Sequence, residues 1–263
     1  MDIGSAPSKD QVPGRYFAAF GTIVGADRTR SSDAQLGMLL TFVAGAINAG
    51  GFLAVGQYTS HMSGIFSAMA DNMALGAFGL VSAGLAAFVP FVAGAACSAI
   101  LINWGRRHVA GIQYTLPILL EGLLLCAFGV IGAFVYPSGR LVLSAIPLLC
   151  FVMGLQNATV TKLSGARIRT THVTGLVTDL GIEVGKLLFW NRARDDDLND
   201  TPVMADRPKM ILLSLLLLSF FVGGMTGALG FSRFGFVFAL PLAALLFMIA
   251  VPALLTAKAP KRS

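Results

Sequence analysis

Charged side chains are scarce in this chain. Only 12% of its 263 residues are Asp, Glu, Lys or Arg, whereas soluble domains carry about 25%. Hydrophobic types make up 56%, and the mean hydropathy is +0.77. So little charge cannot coat a soluble surface of this size. The composition therefore excludes an ordinary soluble enzyme, a nucleic-acid-binding module and a secreted disulfide scaffold, and it predicts an integral membrane protein whose main partner is the lipid bilayer.

Cysteine and histidine are also few, with three of each. Cys97, Cys126 and Cys150 lie in apolar runs, without C-x-x-C spacing and without a neighbouring histidine. Such cysteines are typical small packing residues and cannot make a disulfide framework. The sequence also lacks the G-x-S-x-G elbow of a serine hydrolase. We therefore predict no catalytic residues, no metal site and no cofactor, and we expect that the chain is not an enzyme.

Six apolar runs are long enough to cross the hydrocarbon core, which takes about 20 residues of helix. The predicted spans are Gln35–Gly56, Gly76–Asn103, Leu116–Tyr136, Leu141–Thr161, Met210–Gly230 and Phe234–Thr256. Two further segments, Thr59–Asn72 and Thr170–Trp190, are only moderately apolar and begin with hydroxyl residues. For these two segments, a re-entrant and an interfacial placement both remain open.

Lysine and arginine residues set the orientation of such a protein. With six spans and a cytoplasmic N-terminus, 17 of the 19 basic residues lie inside, and only Arg140 and Arg233 lie outside. This bias explains the net charge of +6 without nucleic acid. We predict a multi-pass protein of the cell (inner) membrane with both termini cytoplasmic. Residues 1–34 would form a cytoplasmic arm, residues 35–256 the membrane domain, and residues 257–263 a cytoplasmic basic tail.

The membrane domain contains an internal repeat, in which residues 35–136 and 141–256 share four motifs in the same order. The pairs are G-A-I-N-A at Gly45–Ala49 with G-L-Q-N-A at Gly154–Ala158, T-S-H-M-S-G at Thr59–Gly64 with T-T-H-V-T-G at Thr170–Gly175, F-V-A-G at Phe91–Gly94 with F-V-G-G at Phe221–Gly224, and Leu116-Pro117 with Leu240-Pro241. Three spans per half is an odd number, so the second half would enter from the opposite side. The predicted fold is an all-α membrane protein of six transmembrane helices in two inverted three-helix repeats, each with a short polar helix after its first span.

These motifs resemble the YoaK family of bacterial multi-pass membrane proteins. The resemblance covers about Gln35–Thr256 and rests on G-x-x-N-A and T-S-H-M-S-G in the first half and on Q-N-A and T-T-H-V-T-G-x-x-T-D-L-G in the second. It implies a six-helix bacterial membrane protein and supplies no reaction. The N-terminal arm and the Asp-rich run at 195–197 look like additions to the family pattern.

The repeated polar residues are the candidate substrate site. Asn48 and Asn157 occupy matching places in spans one and four, where an amide either joins helices or contacts a solute in a lined cavity. Helices that begin at His61 and His172 would present their positive ends and an imidazole to a ligand, and a structural interfacial histidine is the alternative. The predicted substrate-binding residues are Asn48, Thr59, Ser60, His61, Asn157, Thr170, Thr171 and His172.

Acidic residues are the candidates for ion or proton coupling. Asp179, Glu183 and Lys186 recur on the helical face of the second histidine. We expect Glu183 and Lys186 to face cytoplasmic water, and we predict that Asp179 binds a coupling ion or proton. Glu121 stands alone in span three, where its repeat counterpart is Leu245. Glu121 either binds a proton or cation, or it is hydrated near the cytoplasmic surface.

Inverted repeats of this kind are typical of secondary transporters. We therefore predict a secondary transporter or permease for a small polar or anionic solute, with proton coupling as an option, whose site lies between the two T-[ST]-H-x-[ST]-G segments. Two alternatives remain: a redox protein that binds haem or a metal through the two histidines, and an accessory membrane protein that transports nothing. A homo-oligomer is compatible with each of them.

Overall fold

A computed structural model describes residues 30–109, 111–135, 141–163, 171, 173–189 and 203–256. This described part consists of eight α-helices and one 3-10 helix and contains no β-strand. The helices are α1 (Arg30–Val55), α2 (Met62–Ala74), α3 (Phe78–His108), α4 (Thr115–Val135), α5 (Leu141–Leu163), α6 (Val173–Leu188), α7 (Arg207–Phe234) and α8 (Ala239–Thr256), with the 3-10 helix at Gly235–Phe238. Most of the predicted N-terminal arm, the Asp-rich run and the basic tail lie outside the described residues.

Five stretches of the described chain are long and apolar enough to cross a membrane. They are Ser32–Leu53, Phe78–His108, Thr115–Phe134, Ala145–Leu163 and Arg207–Leu255. The first four coincide with the first four predicted spans. The fifth contains the last two, because α7 and α8 follow each other through the 3-10 turn, where Gly235 adopts a φ of 58° and ends α7. The prediction of an all-α membrane protein is confirmed.

Helices α2 and α6 occupy the two segments whose placement the sequence left open. They have 13 and 16 residues, which at 1.5 Å per residue gives about 20 and 24 Å, short of the roughly 30 Å hydrocarbon core. Neither helix can cross a bilayer alone. A tight turn with Gly76 at φ 71° joins α2 to α3, whereas the whole segment 189–206 separates α6 from α7.

Helix α1 packs against α7 over a surface where glycine brings the two backbones together. A Cβ at Gly45 would collide with the Phe220 carbonyl, and a Cβ at Gly223 would collide with the Phe42 carbonyl. Gly227 lies one turn further along α7, against the Ala46 backbone. Small residues allow this approach where lipid supplies no hydrophobic drive between helices.

The same kind of contact joins α3 to α5. A Cβ at Gly94 would meet the Phe151 carbonyl, and a Cβ at Gly154 would meet the Phe91 carbonyl. One turn away on α3, the buried Ser98 and Thr159 hydroxyls are hydrogen-bonded at 2.9 Å. Helix α4 packs against α8, while α2 and α6 pack against α3 and α7 respectively.

The packing identifies which glycine of α7 corresponds to Gly94 of α3. Gly94 makes its close contact on α3, and the glycine that makes the corresponding contact on α7 is Gly223, not Gly224. The pairing of F-V-A-G with F-V-G-G is therefore displaced by one residue. Because the stretch F-F-V-G-G at 220–224 fits an F-x-x-G pattern in two frames, sequence matching alone could not choose between them.

Two small-x-x-x-small spacings in the chain have different surroundings, and this difference is testable. Gly223→Ala or Gly227→Ala should lower the melting temperature of the purified protein in lipid nanodiscs, because the added methyl group pushes α7 from α1 at a cost of about 1–3 kcal/mol. Gly181 and Gly185 on α6 have the same spacing, but none of the described residues lies within 4 Å of a Cβ built there.

Gly181→Ala and Gly185→Ala are therefore the matched controls. They should leave the melting temperature unchanged or raise it slightly, since alanine favours a helix over glycine by about 0.5–1 kcal/mol. Equal destabilisation by all four substitutions would contradict the assignment of the α1–α7 contact.

Candidate functional site

A cavity of about 260 Å³ lies where the starts of α2 and α6 meet α1 and α7. Residues of both T-[ST]-H-x-[ST]-G segments line it, so the two halves of the chain contribute to one site. The lining residues are Asn48, Tyr58, Ser60, His61, Thr171, Val173, Thr174 and Phe220. Its volume is near the lower end of ligand pockets, which are about 300–1,000 Å³, so it suits a small solute.

The two asparagines hold the two segments in the same way. The Ser60 hydroxyl donates to Asn48 Oδ1 at 2.8 Å, and the Ser60 backbone N–H donates to the same oxygen at 3.2 Å. In the second half, the Thr171 hydroxyl donates to Asn157 Oδ1 at 2.6 Å. Each amide thus fixes the hydroxyl residue that precedes a histidine.

The donors of the two amides differ. Asn157 Nδ2 donates to the Met153 carbonyl one turn earlier on α5, and Asn157 does not line the cavity. No hydrogen bond from Asn48 Nδ2 forms within the described residues, and Asn48 lines the cavity. Asn48 therefore leaves an amide donor for a solute, which Asn157 does not.

His61 stands immediately before the first turn of α2 and lines the cavity. Its ring lies back over that turn, because a Cβ built at Gly64 would collide with the imidazole. The glycine three residues after the histidine therefore makes room for the ring. Thr170 and His172, the matching residues of the second half, lie outside the described residues.

The cavity combines hydrogen-bond donors and acceptors without a charged side chain among its described lining residues. Ser60 and Thr171 donate their hydroxyl hydrogens to the asparagines, so their oxygens remain available as acceptors. Donors come from Asn48, from the Thr174 hydroxyl and from the free backbone N–H groups at the starts of α2 and α6. Both helix starts also carry the positive end of a helix dipole. The arrangement suits a neutral polar solute or a small anion.

Thr59 and Asp179, two of the predicted site residues, do not line this cavity. Thr59 is fully buried behind it and packs against Gly51, and its Oγ1 has no hydrogen-bond partner among the described residues. Asp179 is exposed on α6 and does not line the cavity. Its role in ion coupling stays a prediction.

Sequence reasoning missed Tyr58 and Phe220 in the lining. Tyr58 stacks on Phe52, with ring centroids 4.5 Å apart, directly before the T-S-H motif. Its counterpart in the second half would be an arginine, so the repeat gave no signal for it. Phe220 is the first phenylalanine of the F-F-V-G-G stretch on α7. It corresponds to Phe91 only after the pairing is displaced by one residue.

A second cavity, of about 400 Å³, lies near the ends of α1, α4 and α7. Phenylalanine, glycine and aliphatic residues dominate its lining, which includes Leu53, Phe231, Phe234 and Phe236. None of the predicted site residues lines it. The smaller polar cavity is therefore the candidate functional site.

Glu121 on α4 is almost fully buried and accepts a hydrogen bond from Gln156 Nε2 of α5 at 2.8 Å. The side chain is 1% exposed, so hydration at the cytoplasmic surface does not describe its position within the protein. Glu121 does not line the cavity. Its partner Gln156 directly precedes Asn157, which holds Thr171 at the cavity wall.

Glu183 anchors the end of α6 to the start of α7, which corrects the expectation that it faces water. Its side chain is 2% exposed and lies within 3.1 Å of Lys186 Nζ and 3.4 Å of Lys209 Nζ. The Asp206 backbone N–H donates to Glu183 Oε2 at 3.0 Å, while the Asp206 side chain caps α7 through the Lys209 N–H. The polar face of α6 therefore contacts another helix, α7, at Glu183.

These contacts lower the pKa of Glu183 to about 2, first through the Asp206 backbone hydrogen bond and then through Lys186 and Lys209. Helix α6 is not among the candidate membrane-crossing stretches. The cluster ties a short helix to a long one across the segment that separates them in the sequence.

A family model described as a protein of unknown function (DUF1275) matches residues 36–252. The chain belongs to the DUF1275 family. The resemblance to YoaK, a member of this family of uncharacterised membrane proteins, is thereby confirmed. No curated protein and no solved structure matches the chain. Membership thus establishes a membrane-protein family and does not identify an activity.

The Glu183 cluster predicts a stability difference that depends on pH. Because the folded pKa is lowered, the stabilisation is present above the unfolded pKa of about 4.3 and is lost as the pH falls towards about 2. Glu183→Gln should therefore lower the melting temperature at neutral pH, and the gap from the unaltered protein should close over this acidic range.

Asp179→Asn is the matched control, because Asp179 lies one turn earlier on the same helix and is exposed. It should leave the melting temperature unchanged. A gap for Glu183→Gln that stays constant down to the acidic end would show that the carboxylate charge contributes nothing.

Proposed function

We propose that the protein is a secondary transporter or permease for a small polar or anionic solute. The observation that carries this proposal is that both T-[ST]-H-x-[ST]-G segments line the same polar cavity. Two short helices begin there, and neither is long enough to cross the bilayer. Discontinuous helices whose N-termini point at a buried site are a common means by which transporters bind solutes.

The directions of α2 and α6 support an inverted repeat. Helix α2 runs from the cavity to the start of α3 through the turn at Gly76, and α6 runs from the cavity to the start of α7 through the Glu183 cluster. In the predicted orientation, α3 begins outside and α7 begins inside. The two short helices would then leave one site towards opposite faces of the membrane, as alternating access requires.

The contacts between helices support the same symmetry. The contact of α1 with α7 corresponds to that of α5 with α3, and the contact of α2 with α3 corresponds to that of α6 with α7. Helix α4 packs against α8, which is its own counterpart in the second half. A chain with six crossings follows if α7 and α8 cross separately on either side of the turn at Gly235. Their combined 49 residues would measure about 74 Å as one helix, more than twice the hydrocarbon core.

The chemistry of the cavity supports the solute class. Two helix N-termini and the Asn48 amide supply donors, and the Ser60 and Thr171 oxygens supply acceptors. With no cation among the described lining residues, an anion would be held by dipoles and hydrogen bonds, as at other helix N-termini. Such binding is reversible, which suits a transporter.

The solute class can be tested by thermal shift with the purified protein in nanodiscs. The probes are three monoanions (formate, acetate and nitrate) and two neutral polar solutes (urea and glycerol). One class should raise the melting temperature, since a ligand at about 100 times its Kd stabilises by about 2.7 kcal/mol. Thr171→Val should abolish the shift, because it removes a cavity oxygen and releases the Asn157 contact.

Thr178→Val on the same helix is the control. Thr178 is exposed and its hydroxyl donates only to the Thr174 carbonyl, so the shift should persist in this variant. A shift that survives Thr171→Val would place the solute elsewhere.

Access from the two sides can be tested with single cysteines in a chain whose native cysteines have been replaced. We expect Ser60→Cys to react with a membrane-impermeant thiol reagent from outside the cell, and Thr171→Cys to react from the cytoplasmic side in inverted vesicles. A solute that binds the cavity should protect both positions, because they line the same site. Labelling of both from one side would end the inverted-repeat proposal and the transport proposal with it.

A further inference from the structure

One buried amide side chain is held in a single orientation. Gln156 Nε2 donates to Glu121 Oε1 at 2.8 Å and to the Leu40 carbonyl at 3.0 Å. Both neighbours are acceptors, so the nitrogen of this amide, and not its oxygen, has to face them. Its two hydrogens are therefore both committed, one to α4 and one to α1.

The oxygen of the same amide lacks a hydrogen bond. Gln156 Oε1 is buried and has no hydrogen-bond partner among the described residues, which is costly for a polar atom. An ionised Glu121 offers only acceptors and cannot supply the missing donor. A protonated Glu121 has one O–H, and an acid and an amide can pair through N–H···O and O–H···O bonds. The needs of the two side chains are complementary.

Among the described residues, no charged side chain forms an ion pair with Glu121 that would compensate an ionised carboxylate. Helix α8 and the 3-10 helix, which pack against α4, carry no titratable residue. The titratable side chains on α4 itself and on the other helices packed against it are Cys97, Arg106, Arg107, His108, Cys126, Cys150 and Lys162. Within the described chain, none of these forms an ion pair or hydrogen bond with Glu121. A lone carboxylate at this depth is expensive, whereas the neutral acid is not.

The positions that correspond to this pair in the repeat are apolar. In the first half, the counterpart of Gln156 is Ile47, and in the second half the counterpart of Glu121 is Leu245. Both counterparts pack into the main hydrophobic core. Each corresponding position in the other half therefore carries an apolar side chain, so the repeat alone does not explain an acid and an amide here.

We propose that Glu121 carries a proton at neutral pH, that its O–H donates to Gln156 Oε1, and that it is the proton-binding group of this protein. Release of this proton would leave a buried charge and a broken hydrogen bond beside Asn157, whose amide oxygen holds Thr171 at the cavity. The protonation state is thereby linked to the cavity through one step along α5. That this proton is the coupling ion rests on the proposed function; that Glu121 is protonated does not.

The chain offers an unusually direct test, because Glu121 and Glu183 are its only glutamates. Protein labelled with 13C at the glutamate carboxyl carbon, in lipid bilayers, should give two signals by solid-state NMR. At neutral pH, we expect one signal at the shift of a protonated carboxyl and one at the shift of a carboxylate. Glu121→Gln should remove the first, and Glu183→Gln, the control with lysine partners, should remove the second. Two carboxylate signals at neutral pH would overturn the proposal.

A second experiment separates proton binding from a purely structural role. The double variant Glu121→Leu, Gln156→Ile introduces the apolar side chains that stand at the two corresponding positions of the other half. It should fold and melt close to the unaltered protein, whereas Gln156→Ile alone should melt lower, because it leaves the acid without its partner. A double variant that fails to fold would show that the pair is structural. The NMR result does not depend on any transported solute, so its failure is distinguishable from failure of the transport proposal.

Discussion

Two close helix crossings position the other described elements. At each crossing, glycine lets the backbone of one helix touch a carbonyl of another, and each crossing joins the first long helix of one half to the second long helix of the other. The halves are therefore interlocked. Because α2 packs on α3 and α6 packs on α7, the starts of both short helices are carried to the same place between the crossings. The cavity is a geometric result of the crossings.

A break in a helix at membrane depth is tolerated only where protein or a lined cavity satisfies the exposed backbone. Asn48 and Asn157 meet this requirement at the two breaks. Each places a side-chain oxygen against a hydroxyl residue two positions before the short helix, and at Ser60 it accepts from the backbone N–H as well. The two roles considered for these asparagines are compatible, because Asn48 holds its segment with the oxygen and keeps its nitrogen for the cavity.

The repeated motifs indicated which two segments contribute to one site, since Ser60, His61 and Thr171 line the same cavity. Residues without a repeated signature could not be found in this way, and Tyr58 is the example. Helical periodicity also cannot show whether a polar helix face lies in water or against another helix. Glu183 was expected in water because its partner Lys209 lies 26 residues away in the sequence, beyond a segment that periodicity cannot bridge. Gln156 was passed over as one letter of a motif, although its apolar counterpart Ile47 marks it as an exception.

Features that both halves share explain the cavity, and features that differ indicate what makes the two sides unequal. A symmetric pair of half-helices would by itself treat the two faces of the membrane alike. Here one short helix is tied to its long neighbour by the tight turn at Gly76, and the other by an ion-pair cluster around Glu183. The Glu121–Gln156 pair joins α4 of the first half to α5 of the second, and the corresponding positions, Leu245 and Ile47, are apolar. Neither the Glu121–Gln156 pair, which joins the two halves, nor the Glu183 cluster within the second half is repeated. We infer that these two unrepeated contacts are what makes the two sides of the proposed transporter unequal.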